Sequence, residues 1–255
     1  MPQQQTKAQH QLVPVVNAPM DGSILIGAGL PSMIRIPIPG TEGMAIELRP
    51  RGYPLEKSTS TLFVQEWYAD GPSAWQFRRT LTEKNIRHYR LDYGYNPKTK
   101  TIDYHWNHDK GAYKFFEVPD HTPAGALGKW IYNGAKYYRG AGRVFVVAGV
   151  LVDLTSIVVA TRPLQRIVEV AGGWSGAWAG AELVGAAGAR IGALGGLEGV
   201  AIGGIVGGIA GGVGGYIWGE HIAEGLYTWS EHTVFIRLEQ VKAPDDKDTD
   251  KSQQH

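Results

Sequence analysis

The sequence predicts an α+β chain: a β-rich N-terminal domain followed by a glycine-zipper helical hairpin or bundle. Three observations predict it. Apolar residues alternate with period two between Ile34 and Leu48 and again from Tyr89 to Trp106, the pattern of half-buried strands. The run Pro119-Asp120-His121-Thr122-Pro123 then marks a change of character, because each proline turns the residue before it away from helix. Beyond it, 20 of the 35 glycines lie between Gly172 and Gly225, many at the four-residue spacing of one helix face.

Taken in order, residues 1–22 are Gln-rich and have no apolar h-region, so a disordered tail is expected and a cleavable signal peptide is not. The β-rich domain is expected over residues 23–119. There Ile34, Ile36 and Ile38 alternate with Arg35 and Pro37, Met44, Ile46 and Leu48 alternate with Ala45 and Glu47, and Thr61 to Tyr68 forms a third run. A short helix is expected around Ala74 to Leu81. The clearest hairpin runs from Arg87 to Tyr95, turns at Asn96-Pro97-Lys98-Thr99-Lys100 and returns through Thr101 to Asn107. Tyr89, Leu91, Tyr93 and Tyr95 share one face, as do Ile102, Tyr104 and Trp106 on the returning strand. Aromatic cross-strand pairs stabilise such a ribbon by about 0.2–1 kcal/mol each.

Residues 120–232 are expected to be helical and to contact a membrane, with Thr122 or Asp120 capping the first helix and a break at Thr161-Arg162-Pro163. Residues 233–241 read as a strand returning to the β domain, and 242–255 as a disordered charged tail.

Within the helical part, Gly195, Gly199, Gly203, Gly207, Gly211, Gly215 and Gly219 recur every four residues. Gly204, Gly208 and Gly212 make a parallel row, and Gly188, Gly192 and Gly196 repeat the spacing. A row of glycines is a groove that lets another helix backbone approach closely. Val200 to Trp218 carries no charge over 19 residues, about 28 Å of helix at ~1.5 Å per residue, close to the ~30 Å bilayer core. Eight of these residues are glycine. In water they weaken the helix by roughly 8 kcal/mol relative to alanine, which close packing or a bilayer has to offset. A buried hairpin in a soluble protein accounts for the same pattern. A flexible linker does not, since linkers are Gly/Ser-rich and this segment is Gly/Ile/Val/Ala-rich.

Val144 to Ala160 is a second apolar stretch, with Asp153 at its centre. In a bilayer that charge costs about 2.5–3.5 kcal/mol, which is tolerable if Asp153 lines a pore or is neutralised. On a half-buried soluble helix it is an ordinary polar position. Trp130, Tyr132, Tyr137 and Tyr138 beside Lys129, Lys136, Arg139 and Arg143 match an interfacial belt before the stretch.

Other chemistry is thinly represented. The net charge of +1 gives no basic excess for nucleic acid, and the absence of cysteine excludes thiol nucleophiles and Cys-based metal sites. Gly27-Ala28-Gly29 lacks the third glycine of a dinucleotide loop, and Gly128-Lys129 is followed by Trp130 instead of Ser or Thr. No cofactor and no metal site is expected. The remaining acid–base candidates are His105, Asp103 and His108, with Asp103 and His105 on the same strand face as Asn107. His88, Asp92 and His121 form a weaker cluster, and surface polar residues on a half-exposed strand explain all of them equally.

Four segments together carry a resemblance: YRLDYGYNPKTKTIDYHWN from Tyr89, DHTPAG from Asp120, GAKYYRGAGRVFVVAG from Gly134 and WSGAWAGAELVGAAGARIG from Trp174. They resemble bacterial polymorphic toxins and type VI secretion effectors that carry a glycine-zipper region. The resemblance implies an antibacterial effector, secreted without a cleavable signal peptide, that inserts into the target-cell inner membrane and forms pores or depolarises it. It also implies a cognate immunity protein, a secretion-system component or chaperone, and a homo-oligomer in the membrane. It carries over no catalytic residue. Two other readings stand beside it: an enzymatic effector whose apolar helices only aid translocation, and a soluble interaction module with packed glycine-zipper helices.

Overall fold

The computed structural model describes residues 22–41, 44–48, 62–65, 88–108 and 111–235. The fold is α+β and mostly helical. Its strands are β1 (Ile36–Pro37), β2 (Ala45–Glu47), β3 (Leu62–Gln65), β4 (His88–Asn96), β5 (Thr101–His108) and β6 (Thr122–Pro123). They pair consecutively and antiparallel into one six-stranded sheet. The helices are α1 (Ser23–Gly29), α2 (Tyr113–Phe116), α3 (Gly125–Val159), α4 (Pro163–Gly192) and α5 (Gly196–Ser230).

The β4–β5 hairpin has the expected register, with Tyr93 opposite Tyr104 and Leu91 opposite Trp106. Its turn is closed by Asn96, whose Oδ1 accepts from the Lys98 and Thr99 amides at 2.9 and 3.4 Å, while Lys100 takes φ +60°. Burial grades along the shared face: Tyr89, Leu91 and Trp106 are enclosed, whereas Tyr95 and Ile102 near the turn are exposed. The enclosed end packs, with Ile36, Met44 and Ile46, against Tyr132 of α3, Ala189 of α4 and Leu197, Val200 and Ala201 of α5. Sheet and helices thus share one core, and Trp106 Nε1 donates to Glu198 Oε1 at 2.7 Å across it.

Three expectations change. Ser23–Gly29, read as the start of the β region, is helix. It is too short and apolar a run for periodicity to assign, and its helix is stabilised by the groove it fills. Neither Thr122 nor Asp120 caps α3, which has no side-chain cap. Thr122 Oγ1 donates to Pro119 O, Asp120 Oδ1 accepts from the His108 and His121 amides, and both residues serve the β5–β6 edge. Finally, Glu231–Phe235 continues α5 as a π-helical turn, so the expected returning strand does not begin at Thr233; its later residues, like the helix expected at 74–81, lie outside the described residues.

The helix break falls where the sequence placed it. Ala160 is extended at ψ 139°, and Pro163 opens α4, the first helical position that a ring without an N–H tolerates. The second reversal, from α4 to α5, uses a 3-10 turn at Ala193–Gly195 and then Gly196 at φ 71°, ψ −158°, a backbone region open essentially to glycine alone.

Candidate functional site

The glycine ladder is a hairpin seam. Gly172, Gly176, Gly180, Gly188 and Gly192 of α4 face Gly219, Gly215, Gly211, Gly203 and Gly199 of α5. A Cβ at any of them would strike a backbone carbonyl of its partner. At one rung Val184 stands where the row would place a glycine, opposite Gly207. Six of the seven predicted ladder residues are therefore in the seam. Gly195 is the exception: it sits in the turn with open space around it, because the helix it was assigned to begins one residue later. The parallel row has a different use. Gly204 meets Ile46, Gly208 meets Ile36 and Pro31, and Gly212 meets Gly27, so α5 receives the N-terminal segment on this second face.

Asp153, read from the sequence as a pore-lining residue, is wholly buried in this structure. Its carboxylate accepts from the Gly22 amide at 2.8 Å, Trp174 Nε1 at 2.6 Å and Tyr216 Oη at 2.9 Å. One side chain of α3 is thereby tied to the entry of α1, to α4 and to α5. A carboxylate with three donors is a satisfied buried group, whereas the same group without them would be strongly destabilising. Beside it, Ser156 Oγ donates to Asp153 O at 2.7 Å and accepts from Arg166 Nε at 2.8 Å. Arg166 in turn pairs with Glu220 and, at 3.3 Å, with Glu169. Sequence reasoning found Asp153 but not its partners. Gly22, Trp174 and Tyr216 lie far from it in the chain, and no short-range spacing marks them.

The faces of α3 are inverted. Gly142, Gly149, Asp153 and Ser156 point inward, while Val144, Val147, Leu151, Leu154 and Val158 form an exposed stripe at alternating three- and four-residue steps. Leu151 is 60% exposed and Val158 81%. Only 22% of the most apolar window of α3 is buried, and 39% of that in the hairpin. Leu183 of α4 and Val206, Trp218 and Leu226 of α5 are exposed as well.

On the sheet, Asp103 Oδ1 and His105 Nδ1 lie 2.9 Å apart, the pairing expected from the strand face. Asp103 also accepts from Thr99 Oγ1 at 2.8 Å and from Asn96 Nδ2 at 3.1 and 3.2 Å, and His105 is buried. This network ties the hairpin turn to the strand. Burial alone pushes the Asp103 carboxyl upward, but the hydrogen bonds from Thr99, Asn96 and His105 outweigh it and hold the group below its ordinary range. His121 stacks toward His105 with ring centres 5.6 Å apart. His108 does not join them. It lies on the opposite face against Tyr89 and Tyr113, at 5.2 and 5.7 Å, because three residues along a strand reverse the side. Asp92 accepts from Asn107 Nδ2. Among the described residues no group of His, Asp and Glu has the arrangement of a metal site. No family model, curated protein or solved structure matches the chain.

Proposed function

We propose that the chain is a secreted antibacterial effector that inserts its helical half into the target-cell inner membrane and forms pores or depolarises it. The observation that carries this is the inverted polarity of α3, with the Asp153 carboxylate and Ser156 hydroxyl inside and Val144, Val147, Leu151, Leu154 and Val158 outside. In water, leaving such side chains exposed forgoes about 1.5–3 kcal/mol each. In a bilayer the same surface is favourable, and polar groups belong in the bundle interior. Contiguous apolar surface of this kind marks a membrane or protein contact. The aromatic and basic residues from Trp130 to Arg143 sit before the stripe, where an interfacial belt would lie.

On this reading the sheet-bearing N-terminal half is a β-rich carrier or adaptor, and the glycine-zipper hairpin with α3 is the inserting unit. Asp153 is the only charged residue between Val144 and Ala160, hence the group a water-filled path would hydrate. The partners are those of the resembled effectors: the lipid bilayer, a cognate immunity protein, a secretion-system component or chaperone, and further copies of the chain in the membrane. Dye release from liposomes tests the proposal, together with membrane potential in cells expressing the chain in cytoplasm or periplasm. Leakage and depolarisation are expected; no leakage at any pH or lipid composition overturns it.

One observation favours a second reading. The three- and four-residue steps of the exposed stripe are also those of a coiled-coil seam, which suits a soluble oligomer. A monodisperse oligomer without detergent, and no liposome binding, would support that reading.

A further inference from the structure

The way α3 is held suggests a device in the fold. Along most of their length α4 and α5 are locked together by the glycine seam, but α3 touches them far less. Its direct polar ties to them are the hydrogen bonds of Asp153 with Trp174 and Tyr216 and of Ser156 with Arg166. The larger packed contact runs through α1, which lies in the groove between α3 and α5 and contacts both extensively. The fit is made by small residues. Gly27 meets the Gly212–Val213 backbone, Gly29 meets the Gly142 carbonyl, and Ile26 fills the space above Gly149. Tyr138 Oη of α3 donates to Ala28 O at 2.5 Å. At the head of the segment the Gly22 amide donates to Asp153, and a side chain at position 22 would displace that carboxylate. Seven residues are too few to be helical alone in water, so α1 is formed only while the groove holds it.

We propose that α1 is an autoinhibitory clasp joining α3 to the hairpin, that the Gly22–Asp153 hydrogen bond is its latch, and that it opens before the hairpin does. If the membrane reading above holds, this opening is the step that frees α3 to enter a bilayer. Any agent that unseats α1 activates the chain, and anything that pins it keeps the chain inactive.

The chain has no cysteine, which permits a clean test. A Cβ placed on Gly149 lies 3.2 Å from the Leu25 Cβ, near the ~3.5–4.5 Å of a disulfide. It also lies 2.5 Å from Ile26 Cγ1 and 3.1 Å from Ile26 N, so α1 has to move out slightly and the reduced double variant is the reference for the oxidised one. In Leu25→Cys/Gly149→Cys, oxidation is expected to reduce liposome dye release at least tenfold, and reductant to restore it. Equal release from the oxidised and reduced forms, with the wild type active, overturns the clasp as a gate and leaves the membrane reading standing. Amide exchange supplies an arm independent of leakage and of the disulfide variant's folding. Amides of residues 22–32 should exchange faster than those of the α4–α5 seam, and Gly22→Ala, whose methyl would press on the Asp153 carboxylate, should accelerate them more than tenfold while the seam stays protected. Exchange of α1 and the seam at one common rate, unchanged by Gly22→Ala, overturns the clasp even if the wild type releases no dye.

Discussion

Asp103 links three donors at the base of the β4–β5 turn, and its depressed carboxyl makes a stability statement. A group whose folded pKa is lowered contributes stability that is present above its unfolded value, about 3.9, and lost as pH falls through the folded value. Thermal midpoints of the wild type and Asp103→Asn are therefore expected to differ near neutrality and to converge on acidification below about pH 4. Parallel curves down to pH 2 would remove this account. Glycines differ as sharply from one another. Gly203→Ala places a methyl on the Gly188 carbonyl and is expected to destabilise by about 1–3 kcal/mol through overpacking. Gly214 has nothing around its missing side chain, and Gly214→Ala should stabilise by up to about 1 kcal/mol from helix propensity alone. Denaturant midpoints read both. The four-residue spacing exposed this difference only in part. It showed that a glycine face exists but not which glycines meet a neighbour, since that depends on where the turn sets the register of the two arms.

Among the elements, the β4–β5 hairpin and the break at Thr161-Arg162-Pro163 were legible because each has a local cause: paired aromatic alternation closed by an Asn-Pro turn, and a proline at the first helical position. The α1 helix was not legible. Ser23-Ile24-Leu25-Ile26-Gly27-Ala28-Gly29 is apolar without a period, and what selects helix is the groove formed by residues more than a hundred positions away. The role of Gly27 and Gly29 is the same kind of long-range fact. Two glycines two residues apart look like a fragment of a nucleotide loop, yet they face α5 and α3 on opposite sides of one short helix. The joint between sheet and hairpin tip rests on the Trp106–Glu198 hydrogen bond. Trp106→Phe keeps most of the buried ring but leaves the carboxylate short of a donor, and should destabilise by about 1–3 kcal/mol, measured by denaturant unfolding. An unchanged midpoint would show that Glu198 turns out to water without loss.

For the molecule as a whole, the exposed stripe on α3 lets the proposed membrane contact be tested apart from folding. Leu151→Lys or Val158→Lys changes a side chain that already faces outward, so the unfolding midpoint is expected to stay within about 0.5 kcal/mol of wild type. Liposome binding should fall steeply, because a lysine at mid-bilayer costs about 2.5–3.5 kcal/mol; binding at wild-type strength would place the contact surface elsewhere. The glycine seam has a consequence of its own. Every rung descends four residues on one arm and ascends four on the other, so the hairpin is a ruler graduated in tetrads. One residue inserted into a single arm swings everything beyond it by about 100°; placed just after Gly199, it brings Ile202, Val206, Ala210, Gly214 and Trp218 to the later rungs in place of the seam glycines. Four residues added to both arms at the turn keep every pair and lengthen the rod by about 6 Å. The span of this hairpin can therefore be retuned only in matched steps, and its fit to any barrier it crosses is set by whole turns of both helices together.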